Sequence, residues 1–284
     1  MAKVVSKSNE KIAPKRQGLT LNLYGDVESM TITVYSTPNT ICERTIWRFN
    51  RRGDAAETVS YDHMGEQIRR FVFNYDENCL LSEKIIYDED NLLLGRERFQ
   101  HDNNGRISCV LFYNSNGFLS KKTSYEYDYD GKIKEKNEIE YWDVNKPSST
   151  QKYEYDHNGN ETKHSYYGMD GSLAWCHSCM ILYDSNNNKT EEIKLEDGVY
   201  DGGLLYKYDT FGNVIERASY GTDKKVYRRD VSTYDSKGNQ IEHTRYNDKN
   251  IIIEKVTFKY DSYGNVLNEE HKDGYAIKIA YNYR

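Results

Sequence analysis

One short phrase returns along this chain at near-constant spacing, and it limits the possible folds more than any other feature. Tyr208-Asp209-Thr-Phe-Gly212-Asn, Tyr234-Asp235-Ser-Lys-Gly238-Asn and Tyr260-Asp261-Ser-Tyr-Gly264-Asn are copies of one motif. Tyr155-Asp156-His-Asn-Gly159-Asn matches them, Tyr127-Asp128-Tyr-Asp-Gly131 is close, and His101 begins a copy in place of tyrosine. Weaker copies start at Phe49, Tyr75 and Tyr183, so that successive starts lie 26, 26, 26, 28, 28, 25, 26 and 26 residues apart. A second series begins at Tyr61, Tyr87, Tyr113, Tyr141, Tyr167, Leu195, Tyr220 and Tyr246, mostly 12 residues after the first. A fixed period of this length marks a repeat architecture in which one supersecondary unit recurs.

Each motif has a local physical meaning. Aspartate suits the first position of a type I turn because its carboxylate bonds back to the backbone, and glycine suits the position that turns left-handed. A type I turn followed by a left-handed residue joins antiparallel strands. The stretches between turns hold one strand each, and they alternate. From Ile252 to Tyr260 the even positions read Ile, Glu, Val, Phe, Tyr and the odd ones Ile, Lys, Thr, Lys. Period two with one largely apolar face is the mark of a half-buried strand. No helical period persists.

The fold expected is therefore all-β: a long antiparallel meander of about 18 strands, judged from the turn count. So long a twisted sheet curls, closes or splits, and a spiral or barrel-like shell with tyrosines packed inward is the leading arrangement. Composition fits a thin sheet: 27 tyrosines against 3 prolines, with only 37% hydrophobic residues. Residues 1–18 read as a flexible basic tail, 19–44 as an N-terminal capping hairpin turning at Tyr24-Gly25-Asp26, and 45–284 as an array of about nine double repeats.

The recurring Tyr-Asp-x-x-Gly-Asn resembles the YD-repeat, or RHS-repeat, family, over residues 45–284. The opening YGDVESMTITVY also looks like the start of compact members common in Bacteroidetes-type bacteria. The resemblance implies β-hairpins wound into a shell. In large members the shell encloses a toxin or forms a cell-surface ectodomain that contacts glycans or proteins. This chain shows neither a toxin-like C-terminal region nor the autoprotease-type segment of polymorphic toxins, so fold carries over more firmly than function.

Other chemistry is sparse. The net charge of −6 argues against a general nucleic-acid binder. No run of apolar residues is long enough for a membrane-spanning helix, and no secretory leader is evident, although the family leans toward the envelope or outside. Seven scattered histidines and the lack of nucleophile-elbow, zincin or P-loop motifs leave no catalytic residue. Asp128-Tyr129-Asp130-Gly131 and Asp88-Glu89-Asp90-Asn91 read as turns, not calcium loops, since neither has the alternating ligands and terminal Glu. No cofactor or metal is expected.

Trp175-Cys176-His177-Ser178-Cys179 is spelled like a redox site. On a regular strand its two cysteines point to opposite faces, so the expected reading is one strand of a repeat with Trp175 and Cys179 as core. The function expected is a non-catalytic scaffold that binds a protein or glycan. The alternative is a shell that encloses or neutralises a polypeptide. Candidate contact residues are Trp142, Tyr166 and Tyr227, aromatics that break phase with neighbouring anchors.

Overall fold

The structure is a computed structural model, and it describes residues 23–37, 39–141 and 149–284. The basic tail and Trp142 lie outside the described residues. Among the described residues, twenty strands follow one another. They are Val27–Thr37 (β1), Thr40–Phe49 (β2), Ala55–Asp62 (β3), Gln67–Tyr75 (β4), Leu81–Tyr87 (β5), Leu93–His101 (β6) and Ile107–Asn114 (β7). Next come Leu119–Tyr127 (β8), Ile133–Glu140 (β9), Ser149–Tyr155 (β10), Glu161–Tyr167 (β11), Leu173–Tyr183 (β12), Lys189–Glu196 (β13) and Val199–Tyr208 (β14). The last six are Val214–Tyr220 (β15), Val226–Tyr234 (β16), Gln240–Asn247 (β17), Ile252–Tyr260 (β18), Val266–His271 (β19) and Ala276–Tyr283 (β20).

Each strand pairs antiparallel with the one before and the one after it. β1 also pairs with β20 over Val27–Tyr35, so the sheet closes into a barrel. The count is twenty, not 18, because β1 and β2 join the ring as full members. The first arm of a hairpin turning at Tyr24-Gly25-Asp26 lies outside the described residues. β1 and β2 form a hairpin that turns between Thr37 and Thr40, and β1 closes the ring as well as starting it.

The turns show why the motif is written as it is. Asp209 Oδ1 accepts the backbone N–H of Phe211 (2.8 Å) and of Asn213 (2.9 Å), and the Asn213 amide donates to Asp209 Oδ2 (2.8 Å). The same three bonds recur at Asp235 with Lys237 and Asn239. Gly212 has φ +84°, a left-handed value that a Cβ would strain. The final asparagine of the phrase thus clamps its aspartate.

The spacing decides which way each tyrosine faces. Across these hairpins, paired residues have numbers of opposite parity (Asn74↔Glu83, Arg98↔Leu111), so parity reverses at each turn. Anchors 26 residues apart cross two turns and share a face; anchors 12 apart cross one and do not. First-series anchors therefore lie on one face and second-series anchors on the other. That corrects the expectation of tyrosines packed inward, which holds for the first series alone. Two hairpins depart from this parity: beyond Gly202 (φ +89°) β13 and β14 pair with equal parity (Glu191↔Leu205), where the repeat interval is 25, and β19 and β20 do so throughout (Glu269↔Ile277), past the last anchor.

The first-series face is the sheltered, concave one. Along β20, Ile277, Ile279, Tyr281 and Tyr283 are half-buried while Lys278, Ala280 and Asn282 are exposed, and β10 and β14 alternate likewise. Five first-series hydroxyls bond a backbone carbonyl across the neighbouring strand: Tyr75 to Ala55, Tyr127 to Ile107, Tyr155 to Ile133, Tyr234 to Val214 and Tyr260 to Gln240, at 2.6–2.8 Å. Cations cover rings of both series, Arg106 over Tyr127 and Lys132 over Tyr155 in the first, Arg70 over Tyr87, Arg98 over Tyr113 and Arg229 over Tyr246 on the outer face. The bond from ring hydroxyl to carbonyl is what sets the five first-series anchors apart from these three outer rings.

The best-packed region is the closing seam. Val27, Met30, Phe49 and Ala55 are buried there, with Trp47, Phe73 and Tyr281 against them. Arg284 donates to the carbonyls of Phe49 (2.7 Å) and Asn50 (3.0 Å) and pairs with Asp26. Asn265 exchanges two 2.8 Å bonds with the Tyr24 backbone. Elsewhere every strand contacts only its two neighbours, so the wall is a single layer. Twenty strands about 4.8 Å apart and tilted about 40° enclose a circle about 40 Å across.

Candidate functional site

The inner face of β10–β12 gathers five rings. Register places Tyr153 opposite His164, His164 opposite His177, and Tyr166 opposite Trp175. Tyr153 stacks on His164 (centroids 4.4 Å), His164 meets Trp175 edge-on (4.8 Å), Trp175 lies parallel to Tyr166 (5.5 Å, 9°), and His177 stacks on Trp175 (4.7 Å). Such offset and edge contacts are the favoured aromatic geometries. Gln151 Oε1 accepts from Tyr153 Oη (2.8 Å) and lies 3.1 Å from His164 Nε2, which fixes the polar edge of the group. Burial lowers the pKa of His164, with the nearby Glu161 partly opposing it, so the uncharged imidazole is favoured. His177 stands 3.7 Å from Glu196 with its side chain 61% exposed, and this leaves one end of the ladder open.

The redox-like spelling resolves on the same strand. Trp175, His177 and Cys179 share the inner face; Cys176 and Ser178 point outward, with Cys176 opposite Ser165 and Cys179 opposite Lys194. Both thiols are free. Burial pushes the Cys179 thiol up, the reverse of what a reactive thiolate needs.

Of the sequence candidates, Tyr166 belongs to this ladder, on the same inner face as the first-series anchors and half-buried. Tyr227 sits near the start of β16, 55% exposed, away from the ladder. The anchors at 127–131, 155–159, 208–212, 234–238 and 260–264 form turn frames at one end of the barrel. Alternation along β12 puts Trp175 and His177 on one face, but Tyr153 and His164 were not among the sequence candidates. The available signal was the hairpin pairing itself, 13 residues for His164 and His177. No group of three His, Cys, Asp or Glu suited to a metal occurs among the described residues.

No family model matches the chain, and no curated protein sequence matches it. Among solved structures it is similar to the TcdB2-TccC3 complex, with 11% identity and a TM-score of 0.38 over 81% of this chain and 15% of that one. The same complex without its hypervariable C-terminal region gives 11% identity and a TM-score of 0.37, covering 86% and 15%. A porin-like protein from Bacteroides uniformis ATCC 8492 gives 6% identity and a TM-score of 0.37, covering 90% and 98%. This chain thus spans 15% of the length of the TcdB2-TccC3 chain. Likeness at this level fixes neither family nor activity.

Proposed function

We propose that this chain is a non-catalytic, YD-repeat-type ring that binds a glycan on its inner wall. The observation that carries the reading is the ring ladder of Tyr153, His164, Tyr166, Trp175 and His177, half-open to solvent and edged by Gln151 and Glu196. Flat, pre-stacked rings beside fixed hydrogen-bonding groups offer a sugar both its apolar face and its hydroxyls a partner, with little ordering cost.

The ring works in water under this reading. Charges stand at mid-strand on both faces, Glu57 and Arg70 outside and Asp230 and Arg245 inside. Either set turned toward lipid would cost about 2–4 kcal/mol per cation at the midplane. Enclosure of a whole folded polypeptide fits less well. Strands of about eight residues at about 3.3 Å each, tilted about 40°, make a wall about 20 Å tall. A 100-residue domain has a radius of gyration of about 13 Å and would protrude from both ends.

The test is titration of the full chain with neutral oligosaccharides, read by NMR at the Trp175 indole and at the His164 and His177 rings. Saturable shifts there, weakened at least about tenfold by Trp175→Ala with the unfolding midpoint little changed, are expected. A panel that moves no ladder resonance, or a Trp175→Ala variant that binds unchanged, overturns the proposal.

A further inference from the structure

A second feature of the inner wall lies on β15–β17 and owes nothing to the ladder. Asp230 is buried, its side chain only 6% exposed, at the middle of β16. Four cationic or basic side chains from three strands converge on it. Arg245 donates through Nε to Oδ1 (2.6 Å), and His243 Nε2 lies 3.6 Å from the same oxygen. Arg217 Nη2 lies 3.4 Å and Arg228 Nε 3.5 Å from Oδ2. The register requires this meeting, since Arg217, Asp230 and Arg245 stand directly opposite one another across three strands.

The cluster is over-supplied with donors. Other cross-strand groups on this barrel, such as Arg48 and Arg70 on Glu57, set two cations on one carboxylate. Here three guanidiniums meet Asp230 and Glu254, the second of which pairs with Arg245. Three positive charges against two negative leave one in excess, the same excess as at Glu57; what differs is that three guanidiniums crowd one buried carboxylate. Arg228 Nε is shut from solvent and lies outside hydrogen-bonding geometry with Asp230, an unsatisfied donor of the kind that calls for a partner. The side chains of Arg217, Arg228 and Arg245 are nonetheless 41%, 36% and 30% exposed. The carboxylate therefore works as a buried pin beneath guanidiniums that keep part of their surface in solvent.

We propose that this cluster is a binding site for a singly charged oxyanion, the carboxylate or sulfate half-ester of an acidic sugar. A planar fork with parallel N–H groups matches an oxyanion in two-point geometry, which a lysine cluster would not offer. One negative charge neutralises the excess; a doubly charged phosphate reverses its sign. Asp230 is a positioning residue, and Arg217 and Arg228 are the binding groups. The site stands whether or not a neutral glycan occupies the ladder.

The experiment is an NMR titration of the labelled full chain at low salt, read at arginine Nε–Hε resonances, with glucuronate, methyl sulfate and inorganic phosphate as ligands and methyl glucoside as the uncharged control. Saturable shifts at Arg217 and Arg228 with glucuronate or methyl sulfate are expected, with weaker binding of phosphate and none of the glucoside. The tighter of the two monoanions names the source. Arg228→Gln should weaken binding at least about tenfold. Should that variant fail to fold, Arg217→Lys keeps the charge, removes the fork and is expected to weaken binding several-fold. Equal shifts at Arg48 and Arg70, absence of saturation, or unchanged affinity in Arg228→Gln or Arg217→Lys would overturn the assignment.

Discussion

Replacing Tyr234 by phenylalanine removes one oxygen and leaves the ring in place. That oxygen donates to the Val214 carbonyl at 2.8 Å, tying the end of β16 to the start of β15 on the sheltered face. A hydrogen bond of this kind contributes about 0.5–1.5 kcal/mol net, and the half-buried carbonyl left behind keeps some access to water, so about 1 kcal/mol is expected. Tyr246 is the control. It is a second-series anchor on the outer face, held by Arg229 over its ring at 4.9 Å, with no hydrogen bond to its hydroxyl among the described residues. Tyr246→Phe keeps that contact and is expected to change stability by less than about 0.5 kcal/mol. Urea unfolding followed by circular dichroism reads both. With m near 3 kcal/mol/M, Tyr234→Phe should lower the midpoint by about 0.3 M, and Tyr127→Phe combined with it should double the shift because the two sites share no partner. If the inner and outer substitutions cost the same, the division of the two series between faces is wrong.

Three further outcomes follow from the same structure. Burial, then the nearby Glu192, pushes the Tyr206 phenol up to about 12, and burial, then the hydrogen bond to Asp261, raises Tyr283 to about 12. A raised folded pKa is stabilising below the unfolded value near 10 and is lost as pH rises through the folded one. Phenolate absorbance should therefore show a class of tyrosines that ionises only together with unfolding. Carboxylates run the other way. The Asn213 amide holds Asp209 below its ordinary range and Arg106 does the same for Asp102, so stability should be full above about pH 4 and fall as pH drops through the lowered values, read as the urea midpoint against pH. Gly238→Ala, at φ +80°, should cost about 1–2 kcal/mol by the same unfolding assay, because an L side chain is strained there.

Much of the fold could be read from the repeat because hairpin pairing is local. Asp209, Gly212 and Asn213 state a turn within five residues, and the alternation of Ile252–Tyr260 states a strand. Closure was not legible in the same way. Tyr281 pairs with Met30 across most of the chain, and nothing near either residue announces the other. The division of tyrosines between faces was available in principle, since an even interval of 12 across one parity-reversing turn forces it. Alternation within one strand does not show it, because the parity changes only across the turn. The ladder and the Asp230 cluster share one cause of omission. Tyr153 and His164 are unremarkable in their own strands, and so are Arg217, Asp230 and Arg245. They become sites when cross-strand register sets them side by side.

The central claim is that the ring closes between its first and last strands. Thr31 and Ala280 stand opposite each other on the outer face of β1 and β20. In a chain whose native cysteines are replaced, Thr31→Cys and Ala280→Cys should cross-link rapidly with a short bifunctional maleimide under native conditions, within single molecules, and stop doing so in urea. Thr31→Cys paired with a cysteine at Lys122, on the outer face of β8, should not. A native chain in which the Thr31 and Ala280 positions fail to link, or link only between molecules, would contradict the closed barrel.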